Sequence, residues 1–517
     1  MVTLEEVSGL IPKTSVGDQR AAPARVDDAY KPLHTFRLDK QRSYRQQYGD
    51  MYFLRLTKIK PAVEQVAVSS WQGTVIGGEE VKRVERVLDV RQGDLCWVAG
   101  TVYMDMPLKP NILEDVSKDA SLVENKWISA PISTQQTYFS PDGADQIMLE
   151  DDSGRIRLVG DLLQTIPLVT GCIIAVMGTE NSSGEFEVID IKFPDLPPQP
   201  ARWALSGPPS TTGDDARKSA KKRRVSQQDQ GSEDDDMTDR PRSKKIAIVS
   251  GLAFSTTNAS HALELALLQE YLLGEALCSD DQGEAATISR LIIAGNSIST
   301  SSPAAAPAAA ESKQDEAAEK KASKKYGYDA SAYNSLPSQL FDDFIHHLLP
   351  SIPITLLPGA QDPANASYPQ QPIHMAMFPH SRRYGPDPAA AKSEAQQQQQ
   401  QQQPGWLDAV TNPWEAEVEG WRFLGTGGQN VDDVFKYIDS QDRLGMMEAM
   451  CRWRCCAPTA PDTLCSQPRF STKVIAGPDG QSVRLITVPS FEHSRQLVLV
   501  DTETLEVEVV TFSGGGS

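Results

Sequence analysis

Three short loops, each following an apolar run, carry the side chains best placed for chemistry. They read Ser-Gly-Leu at 250–252, Gly-Asn-Ser at 295–297 and Gly-Ala-Gln-Asp at 359–362. In open α/β sheets, functional residues collect on loops just past the strand ends. A two-metal phosphoester hydrolase would need carboxylates and imidazoles around ions about 3.5–4 Å apart. Asp362 is the only carboxylate in these loops, so they predict no such centre.

The loops resemble, in position and spacing, the strand ends of the calcineurin-like metallophosphoesterases. That family carries Asp-x-His after the first strand, Gly-Asp-x-x-Asp after the second and Gly-Asn-His-Asp or Gly-Asn-His-Glu after the third. The resemblance implies a phosphoesterase-like domain that has lost its metal ligands and uses no cofactor. The degenerate ligand positions would be Ser250, Leu252, Asn296, Ala360, Gln361 and Asp362.

The surrounding pattern predicts the layer that would hold these loops. Residues 245–250 and 290–295 are compact apolar runs, and residues 261–273 between them carry leucines at helical spacing. This alternation is typical of an α/β layer built on a buried sheet. The remaining expected elements are helices at 336–349 and 431–453 and strands at 352–358, 420–427, 483–489 and 497–510.

The first half of the chain has the periodicity of a small barrel. From 94 to 193, apolar and polar residues alternate in short runs, which favours an antiparallel sheet. Turn sequences at 151–154 and 181–184 predict two hairpins. Five such strands fit a five-stranded Greek-key barrel of OB type, although the periodicity alone fits other small barrels too. One face would carry Cys96, Val98, Gly100 and Val102.

Low-complexity sequence separates and interrupts these parts. Residues 199–243 are Pro-rich and then charge-blocked, which predicts a disordered linker. Two insertions, at about 299–325 and 382–404, are dominated by Ala, Pro, Ser or Gln and should be disordered loops. The linker holds a basic block that is either a nuclear-import signal or a solvated charge run. It consists of Arg217, Lys218, Lys221, Lys222, Arg223 and Arg224.

The chain length and these boundaries predict an α+β multidomain protein, because 517 residues exceed one ordinary core. We expect an OB-type β-barrel packed with a phosphoesterase-like α/β sandwich. The predicted divisions are an N-terminal tail at 1–35, the barrel domain with an N-terminal extension at 36–198, the linker at 199–243 and the sandwich at 244–517.

Composition narrows the function classes. A net charge of −19 repels a phosphate backbone, so unaided DNA binding is disfavoured. Seven scattered cysteines and an N-terminus without a secretory pattern favour a reduced compartment. The longest apolar run, 171–178, is far shorter than the ~20 residues that span a bilayer, and we expect no membrane association.

Three weaker signals have ordinary interpretations. Cys451, Cys455, Cys456 and Cys465 lack paired metal-site spacing and are expected to pack as small hydrophobes. His346 and His347, after Asp342 and Asp343 on a predicted helix, are expected to be a satisfied surface or core pair. Single-stranded DNA binding by the barrel would need basic side chains among stacking aromatics. Arg155, Arg157, Tyr103 and Phe186 supply a little of each, but Glu150, Asp151 and Asp152 oppose them.

Five segments of the second half of the chain are distinctive in sequence: 244–252, 357–363, 410–414, 423–431 and 457–464. They resemble the B-subunit family, the accessory subunits of eukaryotic replicative DNA polymerases with an OB fold and an inactivated calcineurin-like domain. The strings Gly-Thr-Gly-Gly-Gln-Asn-Val within 425–431 and Ala-Pro-Thr-Ala-Pro-Asp-Thr-Leu at 457–464 are the least generic and favour the delta type. One departure follows position 464, where family members carry an additional strand-containing segment.

The resemblance implies a non-catalytic scaffold. Such a protein would bind the cysteine-rich C-terminal domain of the catalytic subunit of DNA polymerase delta and a third, elongated subunit, and would engage the sliding clamp indirectly. It would act in the nucleus, in DNA replication and repair, with DNA contacts that are weak or indirect. The alternatives are the corresponding subunit of polymerase alpha or epsilon, a single-stranded DNA-binding OB protein and an active metallophosphoesterase.

Overall fold

The computed structural model describes seven stretches of the chain. These are residues 24–38, 48–109, 137–198, 243–299, 334–386, 405–463 and 471–513, without positions 257, 276–278, 366–367, 461 and 479. Nearly all of the predicted linker and most of the two predicted insertions lie outside these stretches. In the part that is described, no helix is both long and apolar enough to cross a membrane.

The first three stretches contain a short N-terminal strand and a helix-covered barrel. The strands are β1 (Tyr30–Pro32), β2 (Val75–Ile76), β3 (Glu79–Glu80), β4 (Lys82–Arg83), β5 (Cys96–Asp105), β6 (Gln146–Glu150), β7 (Arg155–Val159), β8 (Ile173–Glu180) and β9 (Glu185–Lys192). The helices are α1 (Tyr48–Trp71) and α2 (Leu162–Thr165).

Five of these strands close into a barrel through a continuous ring of pairings. Strands β5, β6 and β7 form an antiparallel meander, β7 pairs in parallel with β9, and β9 pairs antiparallel with β8. Strand β8 then returns to β5. Closure leaves these strands without a long free edge. The predicted hairpins at 151–154 and 181–184 connect β6 to β7 and β8 to β9, so both are confirmed.

Strand β5 is apolar on both faces because each face is covered. Cys96, Val98 and Val102 lie in the barrel interior, as the alternation predicts. Trp97 and Ala99 point outwards and pack against α1. A strand buried on both sides is expected to be continuously hydrophobic.

The later stretches form a layered α/β domain. Its strands are β10 (Lys245–Val249), β11 (Ile288–Ala294), β12 (Ile354–Leu357), β13 (Leu407–Ala409), β14 (Trp414–Val418), β15 (Trp421–Gly425), β16 (Ser471–Ala476), β17 (Ser482–Thr487), β18 (Gln496–Asp501) and β19 (Val507–Thr511). Its helices are α3 (Ala262–Leu273), α4 (Ser279–Ala285), α5 (Leu336–Leu348), α6 (Gln429–Tyr437), α7 (Arg443–Arg452) and α8 (Phe491–Ser494).

A six-stranded sheet in the order β13-β12-β11-β10-β18-β19 is the centre of this domain. Strands β10 to β13 are parallel to one another. Strand β18 runs antiparallel to β10, and β19 runs antiparallel to β18. On β10, Ala247 and Val249 face the core shared with α3 and α5. Ile246 and Ile248 face the opposite core, where a three-stranded sheet β1-β14-β15 covers them.

Two predicted elements are each divided in two. The helix predicted at 431–453 is wrong as a single helix: α6 ends at Tyr437, and α7 begins after Asp442, whose side chain accepts a hydrogen bond from Gly445 N at 2.9 Å. An N-terminal cap of this kind starts a new helix. The strand predicted at 497–510 is a hairpin of β18 and β19, because the Asp501 carboxylate accepts from two backbone N–H groups in the turn.

Candidate functional site

The carboxyl ends of β10, β11 and β12 lie side by side, because the three strands are parallel neighbours. The loops that follow them therefore meet at one edge of the sheet, as predicted. Ser250 donates its hydroxyl to the Ala294 carbonyl at 3.0 Å. Leu252 is fully buried in the helix-side core. Neither side chain is available to a ligand in this arrangement.

Asp362 is buried and accepts hydrogen bonds from the backbone with both oxygens. Its Oδ1 accepts from Ile298 N at 2.8 Å, and its Oδ2 accepts from Gly359 N at 2.7 Å. Burial raises the pKa of Asp362 to about 6, and the neighbouring backbone N–H donors limit that rise. The carboxylate thus ties the loop after β12 to the loop after β11.

The other positions in these loops also make loop contacts. Asn296 accepts from Gln361 N through Oδ1 at 3.0 Å, and Ala360 is exposed. The two loops are in close approach, since a Cβ on Gly359 would lie 2.3 Å from Asn296 N. Among the described residues, no cluster of three His, Cys, Asp or Glu side chains is arranged to hold a metal ion.

A buried amide network fills the space beside this edge. Asn412 Nδ2 lies 2.8 Å from Gln370 Oε1, 2.9 Å from Gln429 Oε1 and 3.0 Å from the Pro358 carbonyl. Gln429 Nε2 donates to Gln370 Oε1 at 2.9 Å, and Asn412 Oδ1 accepts from Gly427 N at 3.0 Å. All three amide side chains are at most 5% exposed. Polar networks at this depth fix one arrangement when they are fully satisfied.

The network joins segments that sequence analysis treated separately. Asn412 and Gln429 lie within 410–414 and 423–431, two strings quoted for the family resemblance. Gln370 carries no comparable signal in the sequence. The signal for the first two was a distinctive string of residues, whereas their hydrogen bonding depends on tertiary contacts that the sequence does not display.

The second candidate site is the junction between the barrel and the α/β domain. Both contribute to one hydrophobic cluster, in which Val434 and Trp453 pack with barrel residues such as Leu149. The Tyr138 ring meets the Tyr437 ring edge-on at 5.4 Å. A shared core of this kind resists separation of the two parts.

Two arginines link the parts reciprocally. Arg55 on α1 donates to the carbonyls of Pro458 at 2.7 Å and Ala460 at 2.8 Å. Arg454 donates in the opposite direction, to the carbonyls of Pro194 at 2.9 Å and Asp195 at 2.7 Å. A guanidinium suits this role because its planar fork offers five donors and no acceptor.

Acidic side chains of the α/β domain complete the junction. Asp462 accepts from Lys109 Nζ at 2.8 Å and from the Tyr437 hydroxyl at 3.1 Å. Asp433 accepts from the Thr463 hydroxyl at 2.7 Å. Burial raises the pKa of Asp433 to about 6. A cleft of about 80 Å³ lies between α1, the barrel and residues 458–460 and 462.

Both halves of the chain match families of DNA polymerase subunits. Residues 47–191 match the family described as the DNA polymerase delta subunit OB-fold domain, and residues 246–479 match the B-subunit family of DNA polymerases alpha and epsilon. The chain is 29% identical to the DNA polymerase delta small subunit of Saccharomyces cerevisiae, over 94% of this chain and 93% of that protein.

Two plant DNA polymerase delta small subunits are similar to this chain to the same degree. The DNA polymerase delta small subunits of Oryza sativa and Arabidopsis thaliana are 29% and 28% identical, over 90% and 96% of this chain and 93% and 98% of theirs. Over nearly its whole length, this chain is similar to DNA polymerase delta small subunits. The predicted OB fold of the barrel is confirmed by the family match.

The barrel residues considered for DNA binding are either paired on the surface or buried. On the barrel surface, Arg155 pairs with Glu150 at 2.6 Å and Arg157 with Glu185 at 3.0 Å. Phe186 is fully buried. Two arginines are therefore neutralised and one candidate stacking ring is in the core.

Cys451 and Cys456 are half-buried, and the two histidines on α5 make local contacts. Burial raises the pKa of Cys451 to about 11 and of Cys456 to about 12, so both remain thiols at neutral pH. His347 Nδ1 lies 2.7 Å from the Asp343 carbonyl, and His346 Nε2 accepts from Arg383 at 2.9 Å. Cys465 and the basic block at 217–224 lie outside the described residues.

Proposed function

We propose that this protein is a non-catalytic scaffold subunit of DNA polymerase delta. It would bind the C-terminal cysteine-rich domain of the catalytic subunit and a third, elongated subunit, and so assemble the holoenzyme for DNA replication and repair. Support comes from relatives named as polymerase delta small subunits that align over at least 90% of this chain in yeast and two plants.

The observation that carries the non-catalytic part is the use of Asp362. Both of its oxygens accept backbone hydrogen bonds, and the amide network of Gln370, Asn412 and Gln429 packs beside it. A two-metal centre needs several carboxylate and imidazole ligands with free lone pairs. We therefore interpret the α/β domain as a calcineurin-like phosphoesterase sandwich whose former ligand positions now stabilise the loops.

Packing among the described residues supports the proposed division of the chain. The OB-type domain would lie within 36–198 and the main body of the phosphoesterase-like domain within 244–517, joined by the linker at 199–243. Residues 24–35 of the predicted tail pack against the second domain, through the pairing of β1 with β14. The shared core and the reciprocal contacts of Arg55 and Arg454 support one fixed arrangement of the two domains.

Cellular location and nucleic-acid contacts follow from the same assignment. A subunit of this polymerase would work in the nucleus, and the basic block at 217–224 would serve as its import signal. The net charge of −19 and the paired barrel arginines favour weak or indirect contact with DNA. The sliding clamp would be reached through the partner subunits.

A second candidate is the corresponding accessory subunit of polymerase alpha or epsilon. The observation that favours it is the match of residues 246–479 to the alpha/epsilon B-subunit family. The relatives that align with nearly the whole chain are named for delta, however, so delta is preferred.

The test is co-expression of the full chain with the C-terminal domain of the delta, alpha or epsilon catalytic subunit, followed by size exclusion. We expect one stoichiometric peak with the delta domain alone. The same fractions are assayed for phosphodiesterase activity with manganese, with and without chelator, beside an Asp362→Ala variant. No co-elution with any of the three domains contradicts the scaffold. Chelator-sensitive hydrolysis that follows the protein peak and disappears in the variant contradicts the non-catalytic interpretation.

A further inference from the structure

Residues 24–38 form an N-terminal strap that belongs spatially to the α/β domain. Strand β1 pairs antiparallel with β14, so that Tyr30 lies opposite Val418. The barrel domain follows the strap in sequence, and the main body of the α/β domain begins only at β10. The α/β domain is therefore discontinuous. The strap lies outside both family matches, which start at residues 47 and 246.

The α/β domain offers the strap a buried positive charge. Arg290 on β11 is 1% exposed, and its Nη1 donates to Thr355 Oγ1 at 2.8 Å. Two further donors reach Asp28 of the strap, with Nε to Oδ1 at 3.1 Å and Nη2 to Oδ2 at 2.5 Å. A buried guanidinium without a counter-ion is strongly unfavourable. Asp28 supplies that counter-ion.

Tyr30 occupies the position next to this ion pair. The Arg290 guanidinium carbon lies 3.7 Å from the centre of the Tyr30 ring, close enough for a cation–π contact. The Tyr30 hydroxyl donates to Asp408 Oδ2 at 2.6 Å, and Asp408 is 2% exposed. The surface formed by Arg290, Thr355 and Asp408, called the slot below, thus contacts an acidic side chain of the strap and, two residues later, a phenol.

Further contacts hold the strap at both ends. Arg25 donates to the carbonyls of Leu272 at 2.5 Å and Ala285 at 2.9 Å. At the other end, Gln371 Nε2 donates to the Phe36 carbonyl at 3.2 Å, and Gln371 Oε1 accepts from Leu38 N at 3.1 Å. This second end lies beside Gln370 of the buried amide network.

We propose that the α/β domain carries a binding slot specific for an Asp-x-Tyr strand, and that the chain's own residues 24–38 occupy it as a non-covalent clip. Recognition combines three parts: the Arg290–Asp28 ion pair, the Tyr30–Asp408 hydrogen bond and the backbone ladder to β14. Strand addition with side-chain pockets is a general mode of peptide recognition. The proposal is independent of polymerase assembly.

The test uses the full chain with a site-specific protease sequence inserted between residues 40 and 41, which lie outside the described residues. After cleavage, the N-terminal fragment is followed by size exclusion and mass spectrometry in 0.15 M and 1 M salt. We expect it to co-elute with a monomeric remainder in both. Release from the otherwise unchanged protein, or retention only in a dimer that exchanges straps, would overturn the proposal.

Substitutions define the specificity. Asp28→Asn is expected to speed release of the fragment by roughly two orders of magnitude, because it leaves Arg290 without its counter-ion. Tyr30→Phe keeps the ring and loses the bond to Asp408, so we expect about tenfold faster release; it also serves if the Asp28 variant does not fold. Lys31→Ala is the matched control, since Lys31 pairs with Glu417 at 3.4 Å near the surface, and its release should not change. Equal release from all three variants would contradict the slot.

Discussion

Arg55 Nη1 donates a hydrogen bond to the Pro458 carbonyl at 2.7 Å, from a helix of the barrel domain to a loop of the α/β domain. The same guanidinium reaches the Ala460 carbonyl at 2.8 Å. The loop 457–464 is one of the least generic strings of the chain, and its distinctive sequence thus coincides with the place where the two domains meet. At this place the loop contributes backbone carbonyls, and the barrel domain contributes the donor.

Replacing Arg55 with Met should weaken the junction. The substitution keeps the apolar stem but leaves partly buried carbonyls without a donor, which costs about 2–4 kcal/mol in the free energy of unfolding. Urea unfolding followed by tryptophan fluorescence measures the change. The matched control is Lys58→Met on an exposed face of the same helix, expected within about 0.5 kcal/mol of wild type. Equal losses in the two variants would show that Arg55 does not hold the domains together.

Gly171 is the barrel residue in contact with the same carbonyl. It has φ +90°, and a Cβ there would lie 2.1 Å from Pro458 O. Gly171→Ala should therefore separate the domains locally and cost clearly more than the backbone strain of about 1 kcal/mol. Gly93→Ala is the control, because Gly93 has φ +81° and no atom within 4 Å of the added Cβ. A thermal-melt difference of several degrees between the two variants is expected; identical melts would exclude a junction clash.

The sequence predicted the elements better than their assembly. Strands β10, β11 and β12 were recognisable because each is a short apolar run, and the turns before β7 and β9 carry explicit turn residues. The strap was missed because residues 24–38 have neither strong periodicity nor an apolar run, and β1 has only three residues. Its place in the sheet depends on Arg290 and β14, which are hundreds of residues away in sequence.

The same limit applies to the candidate sites. Residue types predicted that the three strand-end loops would form a candidate site, and the parallel order of β10 to β12 places these loops together. The role of Asp362 as an acceptor for backbone N–H groups could not be predicted, since it depends on the close approach of Gly359 and Asn296. Local sequence specifies strand ends, whereas only the packed structure specifies which backbone groups remain to be satisfied.

Burial raises the pKa of both Asp433 and Asp362 to about 6. Their Asn variants should nevertheless differ in stability at pH 8. A carboxyl whose folded pKa exceeds its unfolded value near 3.9 destabilises the folded state above pH 6, and this penalty disappears below about pH 4. Asp433 accepts from a Thr463 hydroxyl, which can rotate and accept from an amide instead. Asp433→Asn should therefore be more stable than wild type at pH 8, by about 1–2 kcal/mol, and equal to it near pH 4.

Asp362→Asn should instead be less stable than wild type, because the hydrogen-bond partners of Asp362 are backbone N–H groups, which can only donate. Ile298 N and Gly359 N donate to different oxygens of Asp362, so an amide would set its NH₂ group against one backbone N–H. We expect a loss of about 2 kcal/mol at pH 8. Urea unfolding of both variants at pH 4.5 and pH 8 separates the two cases. Destabilisation of both variants at pH 8 would mean that the carboxylate charge of Asp433 is required, contrary to the burial argument.

Asn412 is the donor on which the amide network depends. Its Nδ2 faces three acceptors, Gln370 Oε1, Gln429 Oε1 and the Pro358 carbonyl. Asn412→Asp keeps the shape of the side chain but replaces this donor with a carboxylate oxygen. The three buried acceptors would then face another acceptor instead of a donor. We expect a loss of at least about 3 kcal/mol in the free energy of unfolding at pH 8.

The control for Asn412→Asp is Asn365→Asp. Asn365 is exposed, and its Oδ1 accepts from Gln371 N at 2.6 Å, an interaction that a carboxylate preserves. Its unfolding free energy should change by less than about 0.5 kcal/mol. Lowering the pH should partly restore the Asn412 variant, because a protonated carboxyl regains one donor. If the Asn412 variant instead matched the control at every pH, the network would be a packing arrangement whose hydrogen bonds contribute nothing to the stability of the strand-end loops.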